Sequence, residues 1–170
     1  TSIPTPTPTS VIYVTPTPSP SIIPSPSPIP YGKGSVIKIY ALGQSGGGLF
    51  PNMELLIREQ RVVTFNSIQG GNWLSGLFSR SFEEYVYNHT EKVSISQVKI
   101  RYSNDYYNGI FDDRNLRVDK INIDGVDYQT ESTDTYSTGS WRLGGGCNPG
   151  PKRSELLHCS GYLDYSQKKD

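Results

Sequence analysis

From Lys33 to the end, the chain is a succession of short strand-length runs broken by glycine-rich turns, and this alternation limits the folds open to it. VIKIYAL (36–42), MELLI (53–57), RVVTF (61–65), FEEYVY (82–87), VSISQVKIRY (93–102), LRVDKINI (116–123) and VDYQTE (126–131) are rich in β-branched and aromatic residues. Many of them alternate apolar with polar positions, the period of a strand with one buried face. Asp124–Gly125 between two runs is a two-residue hairpin signal, and GQSGGG, QGGN and LGGGC mark further turns. No stretch sustains an apolar 3.6-residue period for long enough to build a helix. The expectation is an all-β domain, an antiparallel β-sandwich of jelly-roll type.

Residues 1–32 cannot join that core. They carry no charged side chain and hold ten of the thirteen prolines, mostly as Thr-Pro and Ser-Pro pairs. Proline has no N–H for a ladder, and such tracts favour extended polyproline II. Residues 1–32 therefore read as a linker or stalk of up to roughly 90–100 Å, and 33–170 as the folded module. Two apolar runs, SVIYV (10–14) and SII (21–23), interrupt the prolines. A plain spacer does not need them. They open a second reading, in which VIYV adds to a sheet edge and the chain is a subunit of an extracellular filament of its own copies.

Sixteen basic residues balance sixteen acidic ones, which leaves no excess for a phosphate track and makes nucleic acid a poor partner. No apolar run reaches membrane-spanning length, so no membrane partner is expected. No signal peptide is seen at Thr1, so export rests on other features. Cys147 and Cys159 supply one: they flank a loop with two prolines and a glycine, NPGPKRSELLH. Two cysteines and the adjacent His158 are too few donors for a structural zinc site. A disulfide here contributes on the order of 3 kcal/mol and implies an oxidising compartment; two free thiols are the alternative. The Ser/Thr/Pro tail suits an extracellular stalk, and Asn88–Thr90 is a glycosylation sequon at Asn88. The protein reads as secreted.

Against this background NDYYNGIFDDRNL (104–116) stands out, because it gathers Asp105, Asp112 and Asp113 onto one connection between strands. Calcium takes six to eight oxygen ligands from carboxylates, carbonyls and water, and such a cation would remove the repulsion among the aspartates. Tyr107 stands where an EF-hand needs its third-position ligand, so this is no EF-hand. The competing reading is a solvated acidic loop in which Asp112 or Asp113 pairs with Arg114.

The stretch QVKIRYSNDYYNGIFDDRNLRVDKINIDGVDYQTE resembles the core of the calcium-dependent xylan-binding modules, family 60 of the carbohydrate-binding modules, and their relatives. The resemblance rests on a strand ending in Asn-Asp, a loop, Asp-Arg-Asn-Leu, and a Val-Asp-x-Ile strand leading to a turn with glycine. PNMELLI, RVVTF, TYSTGSW (135–141) and CNPGPKRSELLHCSGYLDY (147–165) extend it over roughly residues 35–165. It implies a non-catalytic module that binds polysaccharide, xylan or a related glycan, with calcium held by Asp105 and by Asp112 or Asp113, of which the Asp-Arg-Asn register favours Asp113. Main-chain oxygens around Asp112 and from the disulfide loop would complete the protein ligands, and two sugar hydroxyls would ligate the ion directly. It also implies an appended hydrolase as the usual neighbour.

Around the loop, Tyr106, Tyr107 and Phe111 are candidates for stacking on a sugar ring or for packing on the domain edge. Trp141 is a candidate platform, although a tryptophan beside a strand more often belongs to the core, and Trp73 is open in the same way. Arg114 and Asn115 are expected to hold the loop, and Ser154 and Glu155 the disulfide loop. An enzyme is disfavoured. Asp105 and Asp113 sharing a cation would both stay ionised, whereas glycoside hydrolysis needs one raised carboxyl. Ser154 and His158 four residues apart on a strand do not make a nucleophile–base pair.

Overall fold

Along β1 (Ser35–Gln44), Ile37, Ile39 and Ala41 are fully buried while Val36, Lys38 and Tyr40 between them are not, so the alternation of the sequence becomes two faces. The structure is a computed structural model that describes residues 34–71 and 81–168. The proline-rich segment 1–32 and Trp73 lie outside the described residues. The strands after β1 are β2 (Met53–Ile57), β3 (Gln60–Phe65), β4 (Gly70–Gly71), β5 (Glu83–His89), β6 (Val98–Tyr102) and β7 (Tyr106–Tyr107). They continue as β8 (Asp113–Ile123), β9 (Val126–Gln129), β10 (Tyr136–Ser137), β11 (Gly150–Pro151), β12 (Leu156–Leu157) and β13 (Gly161–Asp164). Helical structure among the described residues is one 3-10 turn, Ile95–Gln97, opened by a Ser94 cap whose partner is Gln97.

Two sheets face each other. One is built on β8 and β1, with β5 on the far side of β1 and with β7, β12 and β9 in succession along the outer edge of β8. The other runs β11-β10-β13-β6-β2-β3. Every pairing is antiparallel except the two-residue contact of β4 with the end of β1. The eight strands of four or more residues give the orders β9-β8-β1-β5 and β13-β6-β2-β3. Renumbered by chain order these are 7-6-1-4 and 8-5-2-3, the jelly-roll adjacency with its numbering shifted cyclically by two strands. The β-sandwich of jelly-roll type anticipated from the sequence is the fold of the module.

The core lies between the sheets. Ile37, Ile39, Leu116, Val118 and Ile121 meet Met53, Leu55, Val98, Ile100, Tyr102 and Leu163, all fully buried. On β8, Val118 and Ile121 both point inward although they are three positions apart. A strict period of two forbids that. The pairing of β1 with β8 shifts between Tyr40 and Ala41, and Asp119 is the extra residue of the bulge that lets both halves of β8 face the core. The Asp124–Gly125 turn has φ of 52° and 93°, the two positive values of a type I′ hairpin.

The run 93–102, read as one strand, is divided: the Ser94 cap and the 3-10 turn precede β6. In the other direction β8 begins at Asp113, three residues before the apolar alternation starts. That early start brings the acidic loop into the sheet.

Candidate functional site

The 104–116 segment is a hairpin. Tyr106 pairs with Arg114 and Tyr107 with Asp113, so β7 and the first residues of β8 are its two arms. Gly109, at φ 95°, makes the bend, closed by bonds from the Asp112 amide to the Gly109 carbonyl (3.1 Å) and from the Asn108 amide to the Asp112 carbonyl (2.8 Å). The hairpin lies at the end of the sandwich where β6 stops and β8 starts.

Arg114 fixes it in place. The side chain is 5% exposed, and among the described residues its hydrogen bonds go to carbonyls and not to a carboxylate. Its Nε donates to the carbonyls of Gly46 and Leu49 (3.1 Å each), Nη2 to Gly46 (2.6 Å) and Nη1 to the Asn104 carbonyl (2.5 Å). The guanidinium also lies 5.5 Å from the centre of the Tyr106 ring. One side chain thereby ties the 46–49 turn to the 104–116 hairpin. Gly46 permits the close approach, because a Cβ there would sit 2.6 Å from the Arg114 nitrogen. Gln44 adds a bond to the Asp113 carbonyl (2.8 Å), and Asn104 bonds the Asn52 amide (2.7 Å) and the Phe50 carbonyl (3.0 Å). The expected loop-holding role of Arg114 is borne out, and it is exercised on carbonyls rather than on Asp112 or Asp113.

The three aspartates occupy different environments. Asp112 accepts from the Gly47 amide at 2.7 Å and from Tyr106 and Asn108 at 3.4 Å each. The Gly47 bond, followed by those of Asn108 and Tyr106, holds its carboxyl below the usual carboxylate range. Asp113 is half-buried, and burial together with the nearby Asp105 and Asp112 carboxylates pushes its carboxyl up, against one bond from the Asn115 amide (2.9 Å). Asp105 stands at the exposed end of β6, its amide 3.4 Å from the Ser160 hydroxyl and its carboxylate 3.5 Å from the Tyr102 hydroxyl. Burial and Asp105 together raise the Tyr102 phenol, whose proton goes to the Arg114 carbonyl at 2.7 Å. Asn115 is 3% exposed, and its Oδ1 is a buried oxygen without a hydrogen-bond partner beside Asp113.

The disulfide loop forms the neighbouring wall. Cys147 and Cys159 are bonded, with Cα atoms 6.4 Å apart. Glu155 is ion-paired with Arg117, and the Ser154 hydroxyl bonds the backbone of Leu156, so both secure the loop as expected. His158, whose ring burial lowers while Asp105 opposes, accepts the Trp141 amide on Nδ1 at 3.1 Å. Ser154 and His158 thus each engage the backbone.

Trp141 is 47% exposed beside His158, which corrects the core placement favoured by its position near a strand: β10 ends at Ser137, and the chain has left the sheet before the indole. Tyr107 and Phe111 are exposed at 66% and 72%, and Tyr106 at 36%. The hairpin therefore presents Tyr107 and Phe111 outward, while Tyr106 lies against Arg114 and the Gly47 turn. Asn88, the sequon residue, is exposed near the end of β5.

One acidic group has no counterpart in the sequence reading. Oxygens of Asp119, Glu131 and Glu155 all lie within 4.8 Å of one another. They meet where β9 and β12 abut on β8: the Thr130 amide bonds the Asp119 carbonyl (2.9 Å) and the Val118 amide bonds the Glu155 carbonyl (2.7 Å). Burial and Glu131 raise the Asp119 carboxyl. The clue was the interrupted alternation at Asp119, since a bulge re-aims a side chain, but residues 119, 131 and 155 are too far apart in sequence to be joined from it.

Residues 36–138 match the family described as CBM60, a Ca-dependent, xylan-binding carbohydrate-binding module. The endo-1,4-β-xylanase Xyn11B of Cellvibrio japonicus is 38% identical over 79 residues, 46% of this chain, and the chain covers 20% of that enzyme's length. Among solved structures, vCBM60 in complex with galactobiose superposes with a TM-score of 0.53 at 22% identity, over 76% of this chain and 96% of that one. A selenomethionine form of vCBM60, described as linking two families of calcium-dependent modules by circular permutation, gives 0.56 at 21% identity, over 77% and 89%. At these identities the two structures speak for the fold.

Proposed function

The chain belongs to the calcium-dependent, xylan-binding family 60 of carbohydrate-binding modules, and from that premise we propose that its 104–116 hairpin holds calcium and binds a xylan-like or related glycan through it. The observation that carries this reading is the half-buried Asp113 carboxylate, pushed up by burial and by the neighbouring Asp105 and Asp112, with no basic side chain bonded to it among the described residues. The donor set fits the ion. Asp105 and Asp113 provide carboxylates from the two ends of the hairpin, and the Asn115 Oδ1 beside Asp113 is a buried oxygen whose acceptor capacity is unused. Asp112, already bonded to the Gly47 amide, pins the hairpin to the 46–49 turn.

Bound there, calcium would supply a hard acceptor for two neighbouring sugar hydroxyls. The chain's own residues do the rest. Arg114 keeps the two arms of the hairpin and the adjoining turn in one geometry. Tyr107, Phe111 and Trp141 offer exposed ring faces against which a pyranose can lie, with Tyr106 braced under Arg114. Selection then follows hydroxyl stereochemistry, because the ion would meet the sugar among the exposed side chains of Tyr107, Phe111 and Trp141.

This is a binding role without catalysis, in a secreted protein. The disulfide suits an oxidising compartment. The xylanase relative, of which the chain spans a fifth, favours a hydrolase as a neighbouring domain joined through residues 1–32.

Calcium alone should register in thermal unfolding. Saturating calcium is expected to raise the midpoint by on the order of 5–10 °C over chelator, with magnesium much weaker, since magnesium requires a tighter octahedron. An unchanged midpoint at saturating calcium would count against an ion site on the folded module.

A further inference from the structure

We infer that the outer edge of β5 is an acceptor for the strand-forming run at residues 9–15 of a second copy of this chain, so that copies join head to tail. Among the described residues β5 pairs on one side only, with β1, over seven consecutive residues and without a register break. Its sequence, EEYVYNH, contains no proline, and its two glutamates, Glu83 and Glu84, both stand at its start, which leaves the edge from Tyr85 to Asn88 without a charge to blunt it. Val86 is 46% exposed on its outer face, while Tyr85 and Tyr87 pack partly against the core on its inner face. A strand added here would meet Tyr85 and Tyr87 on the inner face and Val86, between Glu84 and Asn88, on the outer one. The other long edge, β3, is less suitable: its pairing is bulged, and Gln60 and Arg61 at its start are exposed.

The donor is chosen by length and composition. Between Pro8 and Pro16 lie seven residues, TSVIYVT, the same number as in β5, with VIYV apolar on both alternating faces. The second apolar run, SII, has only three residues between Pro20 and Pro24, too few for a strand. Seven prolines lie in residues 16–33, which at about 3.1 Å per residue reach roughly 55 Å, whereas β5 itself spans about 24 Å. The tail leaves the domain against the end of β5, where a Cβ on Gly34 would sit 1.9 Å from the His89 carbonyl oxygen. An extended proline-rich connector of that length, starting there, would carry residues 9–15 away from the chain's own edge and toward a neighbour's. Donor and acceptor are different surfaces, so the contact is heterologous and, where its rotation does not close a ring, propagates as a filament.

The inference is independent of the glycan reading, because β5 and the tail share no residue with the hairpin. Light scattering of the full chain should show mass rising with concentration, in chelator as in calcium. Ile12→Pro should return the chain to a monomer at every concentration with its melting midpoint unchanged. Chains carrying Val86→Cys, mixed with chains carrying Val11→Cys, Ile12→Cys or Tyr13→Cys, should form disulfide-linked pairs with alternating efficiency along the tail, since the native cysteines are already paired. The inference is overturned if the native chain stays monomeric or if Ile12→Pro assembles like the native chain. It is equally overturned if no mixture cross-links.

Discussion

Asp113→Ala is expected to lower glycan affinity by at least about 100-fold if Asp113 ligates the ion as proposed, because removal of a direct ligand should cost at least as much as loss of a supporting one. The same substitution should leave the calcium-free module folded and no less stable. The Asp113 carboxyl is raised by burial and by Asp105 and Asp112, so its ionised form opposes folding when no cation balances it. Stability in calcium and stability in chelator should therefore respond differently, with the loss confined to calcium. Asp112→Asn is the control, since an amide oxygen can still accept from the Gly47 amide. It should reduce affinity only a few-fold, through the hairpin's position. Calorimetric titration of xylan-type oligosaccharides and thermal unfolding of the same samples read both effects. Full affinity in Asp113→Ala would remove this carboxylate from the site.

Arg114→Ala carries the largest expected effect on stability, a loss on the order of 3 kcal/mol. It would leave the carbonyls of Gly46, Leu49 and Asn104 without their common donor in a place that water reaches poorly. Arg114→Lys should recover little, because an ammonium cannot reproduce the planar fork that spans two segments. With the 46–49 turn released, Asp112 also loses the fixed position of the Gly47 amide, so calcium affinity should fall along with stability. Denaturant unfolding in chelator isolates the structural part. A loss well under 1 kcal/mol there would mean that the turn is held by other contacts.

The fold was legible because its signal is local. Alternation in VIKIYAL and LRVDKINI states which side chains face inward, and Asp124–Gly125 states where a hairpin turns. The bulge at Asp119 was not legible, since its effect appears only when β1 is laid beside β8. The Ser94 cap and 3-10 turn were hidden for a related reason: VSIS alternates like a strand, and the bonds that divide it from β6 run from a serine and a glutamine whose types also suit a strand's polar face.

At the site, the sequence pointed to the carboxylates but not to what positions them. Asp105, Asp112 and Asp113 are neighbours in the chain, so their crowding shows without a structure. The clamp of Arg114 on Gly46 and Leu49 joins residues more than sixty apart, and its acceptors are backbone carbonyls, which leave no trace in residue types. Trp141 was misplaced because composition near a strand does not reveal that the strand has already ended.

The central claim is that glycan binding passes through a cation at this hairpin. Its most direct test is calorimetric titration of xylan-type oligosaccharides into the native chain in calcium, and again in excess chelator. Heat of binding in calcium that disappears in chelator, and returns when calcium is restored, is the predicted result. Equal binding in both would contradict the account and leave the exposed tyrosines, phenylalanine and tryptophan to hold the sugar on their own.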